Sequence, residues 1–418
     1  MTAQAGSRGE FAGWDSGSRE YTRITLALFA AGFATFAQIF DAQAILPALS
    51  RELSVGAATA AITISATTLS VAVSVLPWAA VADLIGRTRA MTISLLAATV
   101  IGLIVPFLPG FGLVVAGRVV LGLALGAVPA VAMAYLAEEL VAKRVAIAAG
   151  IFVAGNTFGG ICGRLVAGPM SEAVGWRPAM LTVAIISAVM CIGFVVAVPA
   201  PRGFRGAVDI DQPLRTRILF QLRDPVMLGL YAQGFLLMGA FGAVYNYFGY
   251  RLQLPPYSVP ATLVGFLFAV YLFGTFASRY SGVLVTRYGP RIVIIAGTGL
   301  MLVGLGLLLV PLLIGVIAGL IVFTIGCFIA HPAASGQTGL QAQLGRAQAT
   351  ALYQLSWLSG TAIMGLLAGA AYDEWGWPAA VGVAALMCLA AIICAWLLLG
   401  DRARPTPPPP MSRAHSFG

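Results

Sequence analysis

The sequence predicts an all-α membrane protein with twelve transmembrane helices arranged as two six-helix repeats. Three observations predict this architecture. The chain of 418 residues is 60% hydrophobic and 9% charged, whereas soluble domains carry about a quarter charged residues. Its apolar residues form segments long enough to cross a bilayer, which takes roughly 20 residues in a helix. Two short motifs also recur at matching places in the two halves of the chain.

The predicted spans divide into two groups of six around a polar central segment. A cytoplasmic N-terminal tail is expected at 1–22, a six-helix bundle at 23–198, a cytoplasmic central loop at 199–225 and a second bundle at 226–399. The Pro-rich segment 400–418 is expected to be a disordered cytoplasmic tail. The predicted spans are 23–48, 57–82, 90–108, 111–136, 145–168, 178–198, 226–248, 260–283, 291–311, 313–337, 349–370 and 379–399.

Basic residues predict the orientation, because cytoplasmic loops collect Arg and Lys. With the N-terminus in the cytoplasm, eighteen of the 24 Lys and Arg residues fall in cytoplasmic segments. Only Arg51, Arg177 and Arg251 fall in external segments. Both termini are therefore expected in the cytoplasm, with the protein in the inner or plasma membrane. The net charge of +9 is placed in these loops, so a lipid bilayer rather than a nucleic acid is the expected partner.

The repeat rests on two pairs of motifs. DLIGRTRA at 83–90 joins spans 2 and 3, and TRYGPRIV at 286–293 joins spans 8 and 9. GWRPA at 175–179 opens span 6, and GWPAA at 376–380 opens span 12. Gly, Arg and Trp recur at membrane edges in many proteins, so either pair alone has a simpler explanation. Together, at corresponding places, they favour duplicated halves.

Several of these segments resemble a known family. AAVADLIGRTR at 79–89 is similar to the loop 2–3 signature of the major facilitator superfamily, with Ala where the family usually begins with Gly. GRVVLGLALGA at 117–127 resembles its span 4 signature, and GNTFGGICGRLVAGP at 155–169 partly resembles the span 5 signature of its antiporters. FGAVYNYFGYRL at 241–252 and RAQATALYQLSW at 346–357 resemble a bacterial drug-efflux subgroup. The resemblance implies a secondary transporter that works by alternating access.

Asp41 is the one carboxylate well inside a predicted span, and ionisable groups there are functional candidates. Arg118 lies at a matching depth, since each is about seven residues from the external end of its helix. The resemblance implies that spans 1 and 4 both line a central cavity, so the two side chains are expected to meet. The pair is interpreted as a proton-coupling switch. A purely structural ion pair is the alternative.

Other polar groups inside the spans are candidates for the wall of a substrate cavity. Arg164 alternatively extends to the membrane interface, and His331 alternatively bonds a carbonyl group freed by Pro332. Tyr245 alternatively belongs to an interfacial aromatic belt. The predicted cavity residues are Gln38, Asn156, Arg164, Gln233, Tyr245, Asn246 and His331.

The loop between spans 2 and 3 is predicted to form a cytoplasmic gate from Asp83, Gly86, Arg87 and Arg89. The resemblance implies that Asp83 meets the N-terminus of span 11 near Gln348, where a helix dipole favours a carboxylate. That contact would close the cytoplasmic side in the outward-open state. A solvated turn is the alternative.

The sequence contains no P-loop, catalytic triad or metal-binding spacing, so we expect neither an enzyme nor a bound cofactor. The leading hypothesis is a monomeric, proton-coupled antiporter that exports a small amphipathic molecule or drug. The second is a proton symporter or uniporter that imports a sugar or small metabolite. A receptor or membrane enzyme ranks last, because the central loop and short tails leave no room for a further domain.

Overall fold

The computed structural model describes residues 11, 13–203, 214–343 and 345–399. The regular secondary structure of these residues is helical apart from an isolated β-bridge between Trp14 and Leu140, and turns and irregular segments connect the helices. Twelve helices are long and apolar enough to cross a membrane, which confirms the predicted fold class. Spans 1 to 12 are Arg19–Leu53, Ala57–Ile85, Arg87–Phe107, Gly110–Glu139, Ala142–Val174, Trp176–Ala197, Pro225–Gln253, Ala261–Tyr288, Pro290–Leu308, Leu313–Gln341, Gln348–Trp375 and Trp377–Leu398.

The segments outside the spans are only partly described. The central segment contains a ten-residue helix, Leu214–Arg223, which the sequence did not predict. The tail expected at 400–418 lies outside the described residues, as do residues 1–10 and 12 of the tail expected at 1–22. We call the membrane side on which span 1 begins and span 12 ends the termini side, and the opposite side the far side.

Four tight turns place the two halves in the same arrangement. Gly86 and Gly289 follow spans 2 and 8 with φ values of 96° and 81°. Gly175 and Gly376 precede spans 6 and 12 with φ values of 91° and 75°. L-residues with a side chain rarely adopt such angles, so each turn requires glycine. These are the glycines of the two motif pairs, which supports a structural repeat.

Glycine-lined seams hold neighbouring helices together. A Cβ atom at Gly163 of span 5 would lie 2.7 Å from the carbonyl oxygen of Ala37 in span 1, and Gly155 and Gly159 lie equally close to the same helix. Gly122 of span 4 rests in the same way against Thr67 of span 2. Such small residues allow close backbone approach where lipid supplies no hydrophobic driving force.

Candidate functional site

Span 1 is broken at its far-side end. Its first α-helix ends at Phe40, a 3-10 turn covers Asp41–Ile45, and a second α-helix covers Leu46–Leu53. Pro47 has no N–H group, so the ordinary helical bond to the carbonyl of Gln43 cannot form. The break leaves carbonyl groups available to side chains from neighbouring spans. We call this 3-10 segment the Asp41–Ile45 turn.

The turn carries a buried ion pair. Arg118 Nη1 of span 4 lies 2.8 Å from Asp41 Oδ1, and Arg118 Nη2 donates to the Ile39 carbonyl oxygen at 3.2 Å. The backbone N–H of Ala42 also donates to Asp41 Oδ1 at 2.7 Å. Arg118 is 0% exposed and Asp41 is 4% exposed. A buried pair of this kind is stable only because each charge has its partner and its hydrogen bonds.

Gln43 links the same turn to both halves of the protein. Its amide nitrogen donates to Asn246 Oδ1 of span 7 at 2.6 Å. Its amide oxygen accepts from Arg164 Nε of span 5 at 2.7 Å. Asp41 and Gln43 are two residues apart on one short turn, so a shift of that turn would move both the ion pair and the bond between the halves.

A cavity of about 600 Å³ lies between the two halves. Spans 1 and 5 form one wall, and spans 7, 8, 10 and 11 form the other. Along span 5 the lining runs from Gly150 to Arg164, which is about 21 Å of helix. Pockets of this volume hold small molecules. Six aromatic side chains line it: Phe36, Phe40, Phe241, Tyr271, Phe328 and Trp357.

The structure places three predicted cavity residues in the wall: Asn156, Arg164 and His331. Arg164 is 2% exposed and does not extend to the interface. His331 Nδ1 lies 3.0 Å from the hydroxyl of Tyr353, which also donates to the His331 carbonyl oxygen at 3.1 Å. His331 therefore lines the cavity, and its ring lies within hydrogen-bonding distance of the Tyr353 hydroxyl.

Four other predicted cavity residues are not in the lining. Gln38 lies against Gly102 of span 3, and its amide nitrogen donates to the Ala34 carbonyl oxygen of its own helix at 3.4 Å. Gln233 donates to the carbonyl oxygen of Ala391 in span 12 at 2.8 Å. Tyr245 packs among aromatic rings and contacts Thr324 Oγ1 at 2.5 Å, and Asn246 is held by Gln43. These side chains lie between helices, which the sequence alone could not distinguish from facing a cavity. Gln38 Oε1, Gln233 Oε1 and Asn246 Nδ2 are buried there without a hydrogen-bond partner among the described residues.

The far side is closed by contacts between the halves. At the end of the cavity, Gly168 of span 5 and Gly265 of span 8 touch, so that a Cβ at Gly168 would lie 2.9 Å from the Gly265 Cα. Hydrogen bonds beyond this point join Ser50 to Tyr250 at 2.6 Å, Arg51 to Gln253 at 3.2 Å, Ala57 and Ala58 to Asp373 at 3.1 Å each, and Thr262 to Glu172 at 2.5 Å.

Fewer hydrogen bonds between described residues join the two halves on the termini side. Between the described residues, one hydrogen bond joins the halves there, from Gln354 Nε2 to the Pro129 carbonyl oxygen at 3.3 Å. The cavity separates the termini half of span 5 from Ser278 and Arg279 of span 8, and Arg279 is exposed. The cavity therefore opens towards the termini side.

In the predicted gate, Asp83 pairs with Arg87, and Arg87 Nε also meets Glu138 Oε1 at 3.1 Å. Gly86 forms the turn, and Arg89 is exposed. No hydrogen bond joins Asp83 to Gln348 in the described part of the chain. A latch expected for the opposite, outward-open state is not made in a structure that opens towards the termini side.

Comparison with known proteins agrees with this architecture. The family model of the Major Facilitator Superfamily matches residues 24–272 and 255–417. The chain belongs to the Major Facilitator Superfamily. It is 36% identical to the inner membrane transport protein YnfM of Escherichia coli over 92% of this chain and 91% of that protein. It is 34% identical to the MFS-type transporter YybF of Bacillus subtilis, over 91% and 94% of the two chains.

Solved structures share the fold. The nucleoside transporter NupG superimposes with a TM-score of 0.72 at 13% identity, covering 90% of this chain and 99% of that one. A bacterial homologue of the human lysosomal transporter Spinster, inward-facing and occupied, gives 0.68 at 15% identity, covering 91% and 95%. The chain is thus a multi-pass membrane transporter of the Major Facilitator Superfamily and not an enzyme.

Two residues of this superfamily member were missed by the sequence interpretation. Gln43 is central to the site. Its position, two residues after Asp41 and four before Pro47, could have indicated a polar side chain at a break in span 1. Glu138 was missed as a partner of Arg87, although an acid at the end of an apolar span is itself a signal.

Proposed function

We propose that the protein is a monomeric, proton-coupled antiporter that exports a small amphipathic molecule. In this proposal the bundles 23–198 and 226–399 rock around the cavity, which alternately faces the two sides of the inner or plasma membrane. The bias of basic residues supports a cytoplasmic position for the termini side. The cavity then opens to the cytoplasm, the side from which an exporter loads. A cavity enclosed by one chain supports action as a monomer.

The observation that carries the proposal is the Asp41–Ile45 turn. One end of it holds the buried pair between Asp41 and Arg118, and the other holds the bond from Gln43 to Asn246 across the halves. The neighbours Phe40 and Gln43 line the cavity, so Asp41 is one residue from its wall.

Proton coupling follows from the charge of Asp41. A proton on Asp41 removes the charge that holds Arg118 Nη1, and the turn is then free to shift. A shift would move Gln43 and weaken the bond that helps to close the far side. Bound proton and bound substrate therefore favour different states of the transporter, one open on the termini side and the other open on the far side. Such a difference in affinity for the two states is what coupling requires.

Transport in everted membrane vesicles tests the proposal. Compounds are first selected because they inhibit growth more in a strain that lacks the gene. In vesicles that hold an acid-inside gradient, addition of such a compound should dissipate the gradient, as reported by a pH-sensitive dye. The Asp41→Asn variant should lose both gradient dissipation and uphill accumulation, and Asp41→Glu should retain part of each.

Glu52→Gln is the matched control, because Glu52 is an exposed acid on the far side. Accumulation against a gradient by Asp41→Asn would disprove the coupling role. Counterflow of substrate without proton movement in the unmodified protein would instead support the hypothesis of an importing uniporter.

A further inference from the structure

Arg164 is a buried cation that has no carboxylate of its own. Its Nε donates to Gln43, and its Nη1 donates to the Gly160 carbonyl oxygen at 2.7 Å. Both acceptors are neutral. A guanidinium has five N–H groups and stays protonated in proteins, and the other three have no acceptor among the described residues. They belong to a side chain that lines the cavity.

Arg118 provides the contrast within the same protein. It is equally buried, but its charge is neutralised by Asp41 at 2.8 Å. The charged side chains at the Asp41–Ile45 turn are thus one carboxylate, Asp41, and two guanidinium groups, Arg118 and Arg164. With Asp41 ionised, the cluster carries one positive charge in excess, and that charge is on the cavity side. Burial of an unpaired charge is costly.

The rest of the lining adds positive and no negative charge. Arg279 lies in the same wall nearer the termini side, and no Asp or Glu is among the described residues that line the cavity. The other polar side chains of the lining include no acid: Gln43, Asn156, Thr157, Tyr271, Thr275, Ser278, His331 and Thr361. A cationic substrate would find no counter-ion in this cavity.

Aromatic rings surround the guanidinium of Arg164. Its Cζ lies 4.3 Å from the centre of the Phe40 ring and 4.7 Å from that of Tyr271. These contacts stabilise a cation in part and hold its plane in a fixed orientation. The free N–H groups of an oriented guanidinium match the two oxygens of a carboxylate. The neighbouring aromatic wall suits an apolar body.

We propose that the substrate is an amphipathic organic anion whose carboxylate binds Arg164 and whose aromatic or aliphatic body packs against the aromatic wall. Arg279 attracts the anion into the mouth of the cavity. This inference rests on the proposed function only in that the transported molecule enters this cavity. It does not depend on Asp41 as the coupling residue.

If both proposals hold, export of a monoanion in exchange for one proton moves net negative charge out of the cell. Transport is then driven by the membrane potential as well as by the pH gradient. Export of a neutral molecule for one proton would move only one charge per cycle, and export of a monocation for one proton would move none, whereas the monoanion moves two.

A binding experiment tests the charge of the substrate without reference to protons. The purified full-length protein in detergent is mixed with 1-naphthoate, 1-naphthamide or 1-naphthylmethylammonium, and with the same three derivatives of a phenylalkyl series. Thermal stability is measured for each, because a ligand that binds the folded state raises Tm. The carboxylates should raise Tm at millimolar concentration, and the matched amides and ammonium ions should not.

Variants assign the effect to Arg164. Arg164→Gln should weaken carboxylate binding about tenfold or more, since charge-assisted hydrogen bonds are about twice as strong as neutral ones. Arg164→Lys should restore part of the affinity, because it keeps the charge but loses the planar fork. Arg279→Gln should slow association more than it weakens final binding. Arg251→Gln, which changes a half-buried far-side arginine outside the lining, is the matched control and should bind as the unmodified protein does.

Three outcomes would overturn the proposal. They are stronger stabilisation by the ammonium ions than by the carboxylates, no stabilisation by any carboxylate, and unchanged charge preference in Arg164→Gln when that variant melts cooperatively. Charge-selective binding that persists in Asp41→Asn while transport is lost would support both proposals. Charge-selective binding together with active transport by Asp41→Asn would leave the anion site standing and remove the coupling role.

Discussion

Arg118 is fully buried, and its guanidinium bonds to groups on other spans. Besides Asp41 and the Ile39 carbonyl, its Nε reaches the Thr63 carbonyl oxygen of span 2 at 3.4 Å. It therefore joins spans 1, 2 and 4 through one guanidinium. Removal of one member of a buried pair leaves the other charge uncompensated, which costs about 3–5 kcal/mol.

This predicts a strongly non-additive effect on stability. Arg118→Gln alone should lower Tm clearly, because it leaves Asp41 buried without its cation. The double variant Asp41→Asn with Arg118→Gln should recover much of the loss, since neither charge remains. Scanning fluorimetry of the four proteins in one detergent measures the coupling free energy. Additive losses would show that the pair does not interact in the folded protein.

At the same scale, part of the site could be predicted from the sequence. Asp41 and Arg118 were paired from their matching depths, because helical rise is regular, together with the family resemblance, which implied that spans 1 and 4 both line the cavity. Gln43 could not be placed, because its direction depends on a 3-10 turn. A side chain on that turn points differently from one on a continuous helix. The partner of Asn246 was missed for the same reason.

Among the elements, the segment before span 1 is held to the protein and does not hang free. Trp14 N–H donates to the Glu139 carbonyl oxygen at 2.8 Å, and Val141 N–H donates to the Trp14 carbonyl oxygen at 3.2 Å. Asp15 then meets Lys143 and Arg144, each at 2.7 Å. We call residues 13–18 the N-terminal strap.

The strap should respond to pH in a way that its ion pairs determine. Lys143 and Arg144, followed by the Ser16 N–H, hold the pKa of the Asp15 carboxyl well below its usual range. A lowered pKa means that the carboxylate stabilises the docked strap at all pH values above its unfolded pKa of about 4. The contribution is lost only as pH falls through the lower, folded value.

Hydrogen exchange of residues 13–18 checks this expectation. The unmodified protein should protect the strap equally at pH 7 and pH 5, after correction for intrinsic exchange rates. Asp15→Asn should exchange faster at both values, and Glu20→Gln, which alters an acid outside the ion-pair cluster, should not. Equal protection in Asp15→Asn would mean that the backbone bonds to Glu139 and Val141 hold the strap without the carboxylate.

For the whole molecule, the repeat was predictable because turns need glycine whatever surrounds them. Gly86, Gly175, Gly289 and Gly376 mark corresponding places in both the sequence and the structure. The conformational state was not predictable, since one sequence serves both states of a molecule whose halves move. The conformational state depends on which end of the cavity has the more extensive contacts between the halves. In this structure the far side has the more extensive contacts.

The close approach of Gly168 and Gly265 is a backbone contact between the halves on the far side. A leucine at Gly168 would place four carbon atoms where the backbone of span 8 now lies. Span 5 would then be held away from span 8, and the state closed on the far side would lose stability relative to the other. A difference of about 1.4 kcal/mol changes the ratio of two states tenfold, and a clash of this size exceeds that. Gly168→Leu should therefore shift the population towards a cavity open on the far side.

Thiol labelling measures the shift. The reporter is Ser278→Cys, in the termini half of the cavity, in a chain whose five free cysteines are replaced by alanine. In everted vesicles, an impermeant maleimide should label Ser278→Cys readily, and Gly168→Leu should reduce the labelling rate severalfold. Gly193→Leu is the control, because a Cβ at Gly193 meets nothing within 4 Å. If both leucine variants label at the same rate, the glycine contact does not govern closure, and the hydrogen bonds nearer the far surface hold the halves together without it.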